Sequence, residues 1–416
     1  MPDNTAVCAD LYRNLFRAGP FPSDDASHRY RLPMRYVDAL FALQTRRVVS
    51  VDALRGFSIF WIIGADGAIW TLDRMLRNKG SAYNSVGSFL GTQMSHAEWV
   101  GLRFYDLIFP LFIFVTGVSI VLALPRLVER EGKVRAHAHV LRRALLLYGL
   151  GIIYYGGLSQ HWDDVRFVGV LQRIAICYLF ASILFLNLDW RGLTVALVAL
   201  LGGYWALMTF VPVPGIGAGS YEPGANLADW IDANYLPGRL WDKTRDPEGL
   251  LSTLPAIGTC VLGVLAGLLL KDERATPTQK SLWLIGGGAA MVAAGYLWGL
   301  QFPVVKAIWT SSFVLVAGGY SAILLGIMHQ AIDVWGWKLW ATIFVWIGAN
   351  AIAIYFINGV TGFEPFALRF VGGDVKAWFD QSVTPGMGLF VAHLLGLIFA
   401  IALAGYLYHR KIFLHA

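Results

Sequence analysis

Ten apolar stretches, each near the ~20 residues an α-helix needs to cross the hydrocarbon core of a bilayer, run through this 416-residue chain. They lie at about 49–70, 104–124, 141–158, 168–187, 192–211, 251–270, 281–300, 311–329, 339–358 and 387–408. Composition agrees: 56% of residues are hydrophobic and 14% charged, against roughly 25% charged in soluble domains. The expected fold class is all-α, a polytopic membrane bundle of about ten transmembrane helices that contacts lipid on its outer faces.

Orientation follows from the 33 lysines and arginines, because short loops rich in them stay in the cytoplasm. Placing both termini inside assigns 20 of them to the cytoplasmic side and 11 to the far side, and leaves Arg55 and Arg173 within spans. The segment "PRLVEREGKVRAHAHVLRR" supplies six and marks its loop as cytoplasmic. The net charge of +6 therefore reads as topology, and nothing points to nucleic acid. The division expected is a cytoplasmic extension over 1–48, a membrane domain over 49–410 and a short cytoplasmic tail over 411–416. Far-side loops fall at about 71–103, 212–250 and 359–386. Residues 1–48 contain no apolar core of signal-peptide type, and "MRYVDALFALQTRR" reads as either a surface amphipathic helix or a mobile tail. Cys8, Cys177 and Cys260 are far apart in sequence and form neither a disulfide framework nor a metal set.

A charge inside a span is costly and marks a polar cavity or a site. The first span holds Asp52, Arg55 and Asp66. Asp52 and Arg55 are three residues apart and can pair with each other. Arg55 and Asp66, eleven residues apart, would share one helix face about 16 Å apart along the axis, an arrangement suited to a long ligand with an anionic head. At the start of the second span, Asp106 sits in a first turn, where the helix dipole favours a carboxylate. Pro110 cannot donate the bond the Asp106 carbonyl would receive, so an opened, kinked backbone is expected there. His96 and Trp99 lie ten and seven residues upstream, and a histidine near carboxylates is how a general base is oriented. In "RFVGVLQRIAICYLF", Arg166 and Arg173 are seven residues apart on nearly one helix face, with Gln172 beside the second; Arg173 needs a partner, which Asp66, Asp106 or an anionic ligand could supply. No second His or Cys has metal-ligand spacing, so no metal is expected.

Five motifs occur in order: "SVDALRGFSIF", "HAEWVGLRFYDLIFPLFIFVTGVSI", "RFVGVLQRIAICYLF", "DPEGLLSTLPAI" and "GANAIAIYF". Together they resemble the heparan-α-glucosaminide N-acetyltransferase family from about Arg47 to the closing "HRKIF". The resemblance implies transfer of acetyl from cytosolic acetyl-CoA, across the membrane, to the amine of a glucosamine or related amino sugar. The family's active histidine lies in its "HA-x-W" motif and carries over to His96. Its first-span polar position, an Asn in the lysosomal enzyme, aligns with Asp66. The lysosomal members carry a luminal N-terminal domain and an extra span. The chain looks instead like the bacterial branch, in an inner membrane.

Amine acetylation needs an unprotonated nucleophile, a base for its proton and donors for the oxyanion. His96 is the natural base or, alternatively, the acetyl carrier of a two-step transfer. Asp106 or Asp66 would hold the imidazole. Glu98, Trp99, Asp246, Glu248 and Asn350 are candidates to contact the sugar, and Asn350, Gln172 or backbone groups near Pro110 could supply the oxyanion donor. Arg55, Arg142, Arg143, Gln172 and Arg173 are candidates for the donor, with phosphates near the cytoplasmic cations. The competing reading is a sugar or amino-sugar transporter, against which stands the absence of a detectable repeat. Oligomeric state stays open, with a homodimer one of the states allowed.

Overall fold

The computed structural model describes residues 48–77, 81–159, 161–242 and 244–413. The N-terminal extension, with Cys8 and "MRYVDALFALQTRR", lies outside the described residues. Within them the regular structure is helical, and β-structure is confined to three isolated bridges between loops. The helices are α1 Val49–Phe60, α2 Asp66–Arg77, α3 Ser81–Gln93, α4 Ile108–Glu131, α5 Lys133–Tyr154, α6 Val170–Asn187, α7 Trp190–Phe210 and α8 Leu227–Tyr235. They continue as α9 Thr253–Lys271, α10 Pro277–Trp298, α11 Ser311–Met328, α12 Thr342–Ala349, α13 Ala351–Thr361, α14 Phe363–Val371, α15 Gly373–Ser382 and α16 Met387–His409.

Among the described residues seven of these are long and apolar enough to cross a membrane: α4 with its preceding turn, α6, α7, α9, α10, α11 with its terminal turn, and α16. The pair α12 and α13 meets the same test but bends by 77° at Asn350. The chain is therefore a helical membrane protein, while the expected count of about ten is not reached by unbroken spans. Two of the expected stretches fall short for identifiable reasons. The first is interrupted over Trp61–Ala65, where Gly64 has φ 139°. The third belongs to α5, whose first half carries Lys133, Arg135, Arg142 and Arg143. The loops expected on the far side also contain helices: α3 in the first, α8 in the second, α14 and α15 in the third.

With lipid outside, helices associate through close packing, and glycines set the closest approaches. A Cβ at Gly117 on α4 would overlap the Cys260 carbonyl of α9, and one at Gly263 on α9 would overlap the Phe114 carbonyl of α4. The same reciprocal contact joins α1 to α12 through Gly56 and Gly348. Backbone thus meets backbone on two sides of the bundle, and α4 is buried along most of its length. A second apolar cluster lies where loops meet: Tyr204 and Met208 of α7, Leu227 and Ala228 of α8, and Phe302, Val305 and Ile308 of the connection between α10 and α11. Trp99 and Tyr221 pack against it. This cluster gives three separate loops one rigid base.

Candidate active site

The segment between α3 and α4 carries His96, and its backbone is held at several points. Gly101 N–H donates to Val304 O at 2.8 Å beside a Val100–Val305 bridge, and Trp99 Nε1 donates to Tyr221 O at 2.9 Å. Arg103 Nη1 donates to His96 O at 2.8 Å. A 3-10 turn, Phe104–Leu107, then leads into α4. Asp106 caps that turn: its Oδ2 accepts from Arg103 N–H at 3.0 Å and from Ala97 N–H at 3.1 Å. The unpaired N–H groups of a helix start are what such a carboxylate satisfies. Because α4 begins only at Ile108, Pro110 sits in its first turn, where a missing N–H removes no helical bond. The backbone changes here from the 3-10 turn to α-helix at Ile108, two residues before Pro110.

Capping uses one carboxylate oxygen and leaves the other facing His96 and Lys306. Oδ1 of Asp106 lies 2.8 Å from His96 Nδ1 and 3.3 Å from Lys306 Nζ. Lys306 Nζ is also 3.0 Å from His96 Nδ1. The Asp106 side chain is 1% exposed while His96 is 57% exposed, so a buried acid holds an accessible ring. Burial pushes the Lys306 ammonium below the usual lysine range, with Asp106 acting in the opposite direction.

These groups open on a cavity of about 480 Å³. Ile59, Ile62, Phe109, Phe112, Ile174 and Ile352 form an apolar wall, whereas His96, Glu98, Asp106, Arg166, Glu248 and Lys306 supply a polar one. A mostly apolar pocket with a few convergent polar groups is the usual form of a small-molecule site. Arg166 is sandwiched between Tyr155 and Trp241, 4.5 and 4.6 Å from the ring centroids, and its Nη2 donates to Asp246 at 2.9 Å and Glu248 at 2.8 Å. Burial opposes its charge, but Asp246 and Glu248 outweigh that and hold its pKa above the usual value. Burial likewise pushes the Glu248 carboxyl up, with Arg173 and Arg166 opposing.

The structure brings His96, Asp106, Glu98, Trp99 and Glu248 together around this cavity. Asp246 sits behind Arg166, its oxygens taken by Arg166, Glu248 N–H and Trp241 N–H. Asp66 does not touch His96. It accepts from Tyr105 Oη at 2.8 Å and from Gly67 N–H at 2.7 Å, and the Tyr105 ring lies 5.1 Å from the imidazole. Nor does one helix face carry both Arg55 and Asp66, because the break at Gly64 intervenes. Arg55 instead ties α1 to its neighbours, donating to Asp52 at 3.0 Å, Gly348 O at 3.2 Å and Ser119 Oγ at 2.6 Å.

Arg173 is paired with neither Asp66 nor Asp106. Its guanidinium donates to Pro247 O at 2.9 Å, Gly249 O at 3.1 Å and Ser252 Oγ, over the face of Trp309. Arg166 lies before α6 rather than on it, so the two arginines grip one turn, residues 246–252, from different elements. Gln172 is fully buried, with Nε2 3.4 Å from Arg166 O. Asn350 is buried at the α12–α13 bend and donates to Ile412 O at 3.1 Å. Arg142 is exposed on α5, and Arg143 lies over the Tyr178 ring at 4.9 Å. Sequence reasoning misses Lys306 and Tyr105. The available signal for Lys306 is a lone basic residue in a short connection expected on the side where such residues are fewest, and for Tyr105 its place next to Asp106. Among the described residues no group of three or more His, Cys, Asp or Glu is arranged to hold a metal ion.

The family model described as heparan-alpha-glucosaminide N-acetyltransferase, catalytic, matches residues 47–289. Two curated relatives carry the name heparan-alpha-glucosaminide N-acetyltransferase. The human protein is 30% identical over 324 residues, which is 62% of this chain and 48% of the relative. The mouse protein is 29% identical over the same shares. The chain thus spans about half the length of the curated relatives it matches. The matched region contains His96, Asp106, Arg166, Arg173, Asp246 and Glu248, and it covers more than half of the chain. The chain belongs to the heparan-alpha-glucosaminide N-acetyltransferase family.

Proposed function

We propose that this protein transfers an acetyl group from cytosolic acetyl-CoA to the amine of glucosamine, or of a related amino sugar, on the opposite side of the membrane. The observation that carries the reading is the pairing of accessible His96 with buried Asp106 at a cavity lined by both apolar and polar groups. A thioester and its pantetheine arm suit the apolar wall. A hydroxyl-rich ring with an amine suits the wall bearing Glu98, Trp99, Arg166 and Glu248. The names of the relatives supply the sugar class.

In the reaction the amine nitrogen attacks the thioester carbonyl, the new C–N bond forms, and the C–S bond breaks to release the CoA thiolate. His96, with Nδ1–H donated to Asp106, has Nε2 available to take the amine proton and pass it to the thiolate. The Asp106 carboxylate stabilises the imidazolium in between. Arg142, Arg143 and Arg55 are the cations proposed for the phosphates of the donor. The topology in this reading has ten membrane passes, counting the broken ones, with both termini in the cytoplasm. The membrane is the bacterial inner membrane, and the acceptor arrives from the periplasm. The family match, to N-acetyltransferases, favours this reading over a sugar transporter.

The test uses the full chain in sealed liposomes with acetyl-labelled acetyl-CoA on one side and glucosamine on the other. Labelled N-acetylglucosamine on the sugar side is the expected product. Movement of unmodified sugar without any need for acetyl-CoA would overturn the proposal in favour of transport.

A further inference from the structure

Lys306 lies in the connection between α10 and α11, beyond residue 289 where the family match ends. Its own turn is rigid. Thr310 N–H donates to Val305 O at 3.1 Å, Trp309 N–H to Lys306 O at 3.0 Å, and the Thr310 hydroxyl accepts from Val305 N–H at 3.1 Å. The Val100–Val305 bridge fastens this turn to the loop that carries His96. The lysine therefore reaches the site from a fixed base, with its side chain 19% exposed.

Four nitrogen atoms surround Asp106, two on each oxygen: Ala97 N and Arg103 N at Oδ2, His96 Nδ1 and Lys306 Nζ at Oδ1. An ionised carboxylate is acceptor-only and can take this whole set. The close approach of Lys306 Nζ to His96 Nδ1 cannot be a hydrogen bond at the same time, because one ring nitrogen cannot both donate to Asp106 and accept from an ammonium. If Nδ1 accepted from the lysine, the proton would sit on Nε2 and the ring could not serve as a base. If the lysine donates to Oδ1, Nδ1 keeps its proton and Nε2 keeps its lone pair.

We propose that Lys306 is a positioning residue for the acetyl transfer: its donation to Asp106 balances that buried carboxylate and keeps His96 in the tautomer whose Nε2 is free to act as the base. This rests on the acetyltransferase reading above. Removing the lysine leaves Asp106 with one cation fewer and the imidazole proton less firmly placed. The loss falls on the chemical step, with little change in the binding of either substrate.

The experiment measures kcat, and KM for acetyl-CoA and glucosamine, in the reconstituted full chain and in Lys306→Met, Lys306→Arg, Asp106→Asn and the Asp106→Asn/Lys306→Met double variant. Lys306→Met should lower kcat by about tenfold while both KM values stay within about twofold. Lys306→Arg should recover part of the loss. In the Asp106→Asn background the lysine change should cost less than about twofold, because its partner is already gone. A merely structural lysine would instead repeat its full cost in that background, and this outcome overturns the proposal. So does an unchanged kcat in Lys306→Met when the unaltered protein is active. An unaltered protein that acetylates no amino sugar overturns both this proposal and the function it rests on. Should Lys306→Met fail to fold by size-exclusion chromatography, Lys306→Gln takes its place in both backgrounds, with the same tenfold loss expected and the same two results overturning the proposal.

Discussion

The chain places charged groups in two neighbouring regions and treats them differently. Around residues 246–252, Arg166 and Arg173 are almost completely buried; acidic oxygens, backbone carbonyls and a serine hydroxyl accept from them, and aromatic rings lie against them. At the His96 loop the acid is buried while the ring it holds is more than half exposed. These two arginines tie α6 and the segment before it to the turn at 246–252. A buried acid that spends one oxygen on capping and the other on an exposed imidazole leaves an accessible ring beside a fixed carboxylate. In the proposed function the contrast separates residues that mainly shape the cavity from residues that act in it.

The largest effect should come from breaking the reactive side. His96→Ala should express, fold and bind CoA normally while losing acetyl transfer by ~100-fold or more. Labelled acetyl-CoA supplied without acceptor sharpens this: label trapped on the unaltered protein but not on His96→Ala identifies an acetyl-histidine step, and its absence leaves His96 as a base alone. Near-normal turnover by a folded His96→Ala protein would erase the distinction between the two regions.

Breaking the matched side should show up as lost stability. Arg173→Met leaves the Pro247 and Gly249 carbonyls and Ser252 without their shared donor, at a cost of about 3 kcal/mol or more, the usual scale for removing one partner of a buried charged network. Thermal unfolding in detergent should fall markedly, and activity should track the folded fraction. A stable protein with raised KM for acetyl-CoA would instead make Arg173 a donor-binding residue.

The same region carries a pH signature. Asp232 is 2% exposed, its Oδ1 accepts from Leu250 N–H at 2.8 Å, and burial pushes its carboxyl up to about 7 from an ordinary 3.8. The folded chain therefore holds this proton more tightly than the unfolded chain. The stabilisation is complete below about pH 4 and is lost as pH rises through 7, above which it no longer changes. Melting temperatures measured from pH 4 to 8 should decline, and Asp232→Asn, which keeps the acceptor and removes the titration, should flatten that decline. An equal decline in the variant would assign the effect to other groups.

The smallest effect separates Arg55 from both regions. Arg55→Ala should raise KM for acetyl-CoA by about threefold to tenfold with kcat largely kept, if the cation serves the anionic end of the donor. An unchanged KM with a lowered melting temperature would leave it as the tie between α1, α4 and α12.

His96 and Asp106 were legible because they are ten residues apart, on a loop and the turn that follows it, so local chain geometry is enough to bring them together. Glu98 and Trp99 came with them for the same reason. Arg173 was visible as a charge in a span, but its partners are backbone carbonyls some seventy-five residues away, which carry no signature in side-chain type. Lys306 is 210 residues from His96 and stands in an unremarkable connection. The break at Gly64 separated two residues that helical periodicity places on one face, since periodicity assumes the helix continues.

By itself the sequence determined that the chain enters a membrane as helices, because long apolar runs have no other way to satisfy their backbones in lipid. It also determined that His96 and Asp106 lie near each other, through spacing within one turn and loop, and the family, through the order of its motifs. Tertiary structure alone decided which groups each buried charge meets. That depends on packing between segments hundreds of residues apart, where a glycine contact or a two-residue bridge sets the distance and no periodic pattern records it.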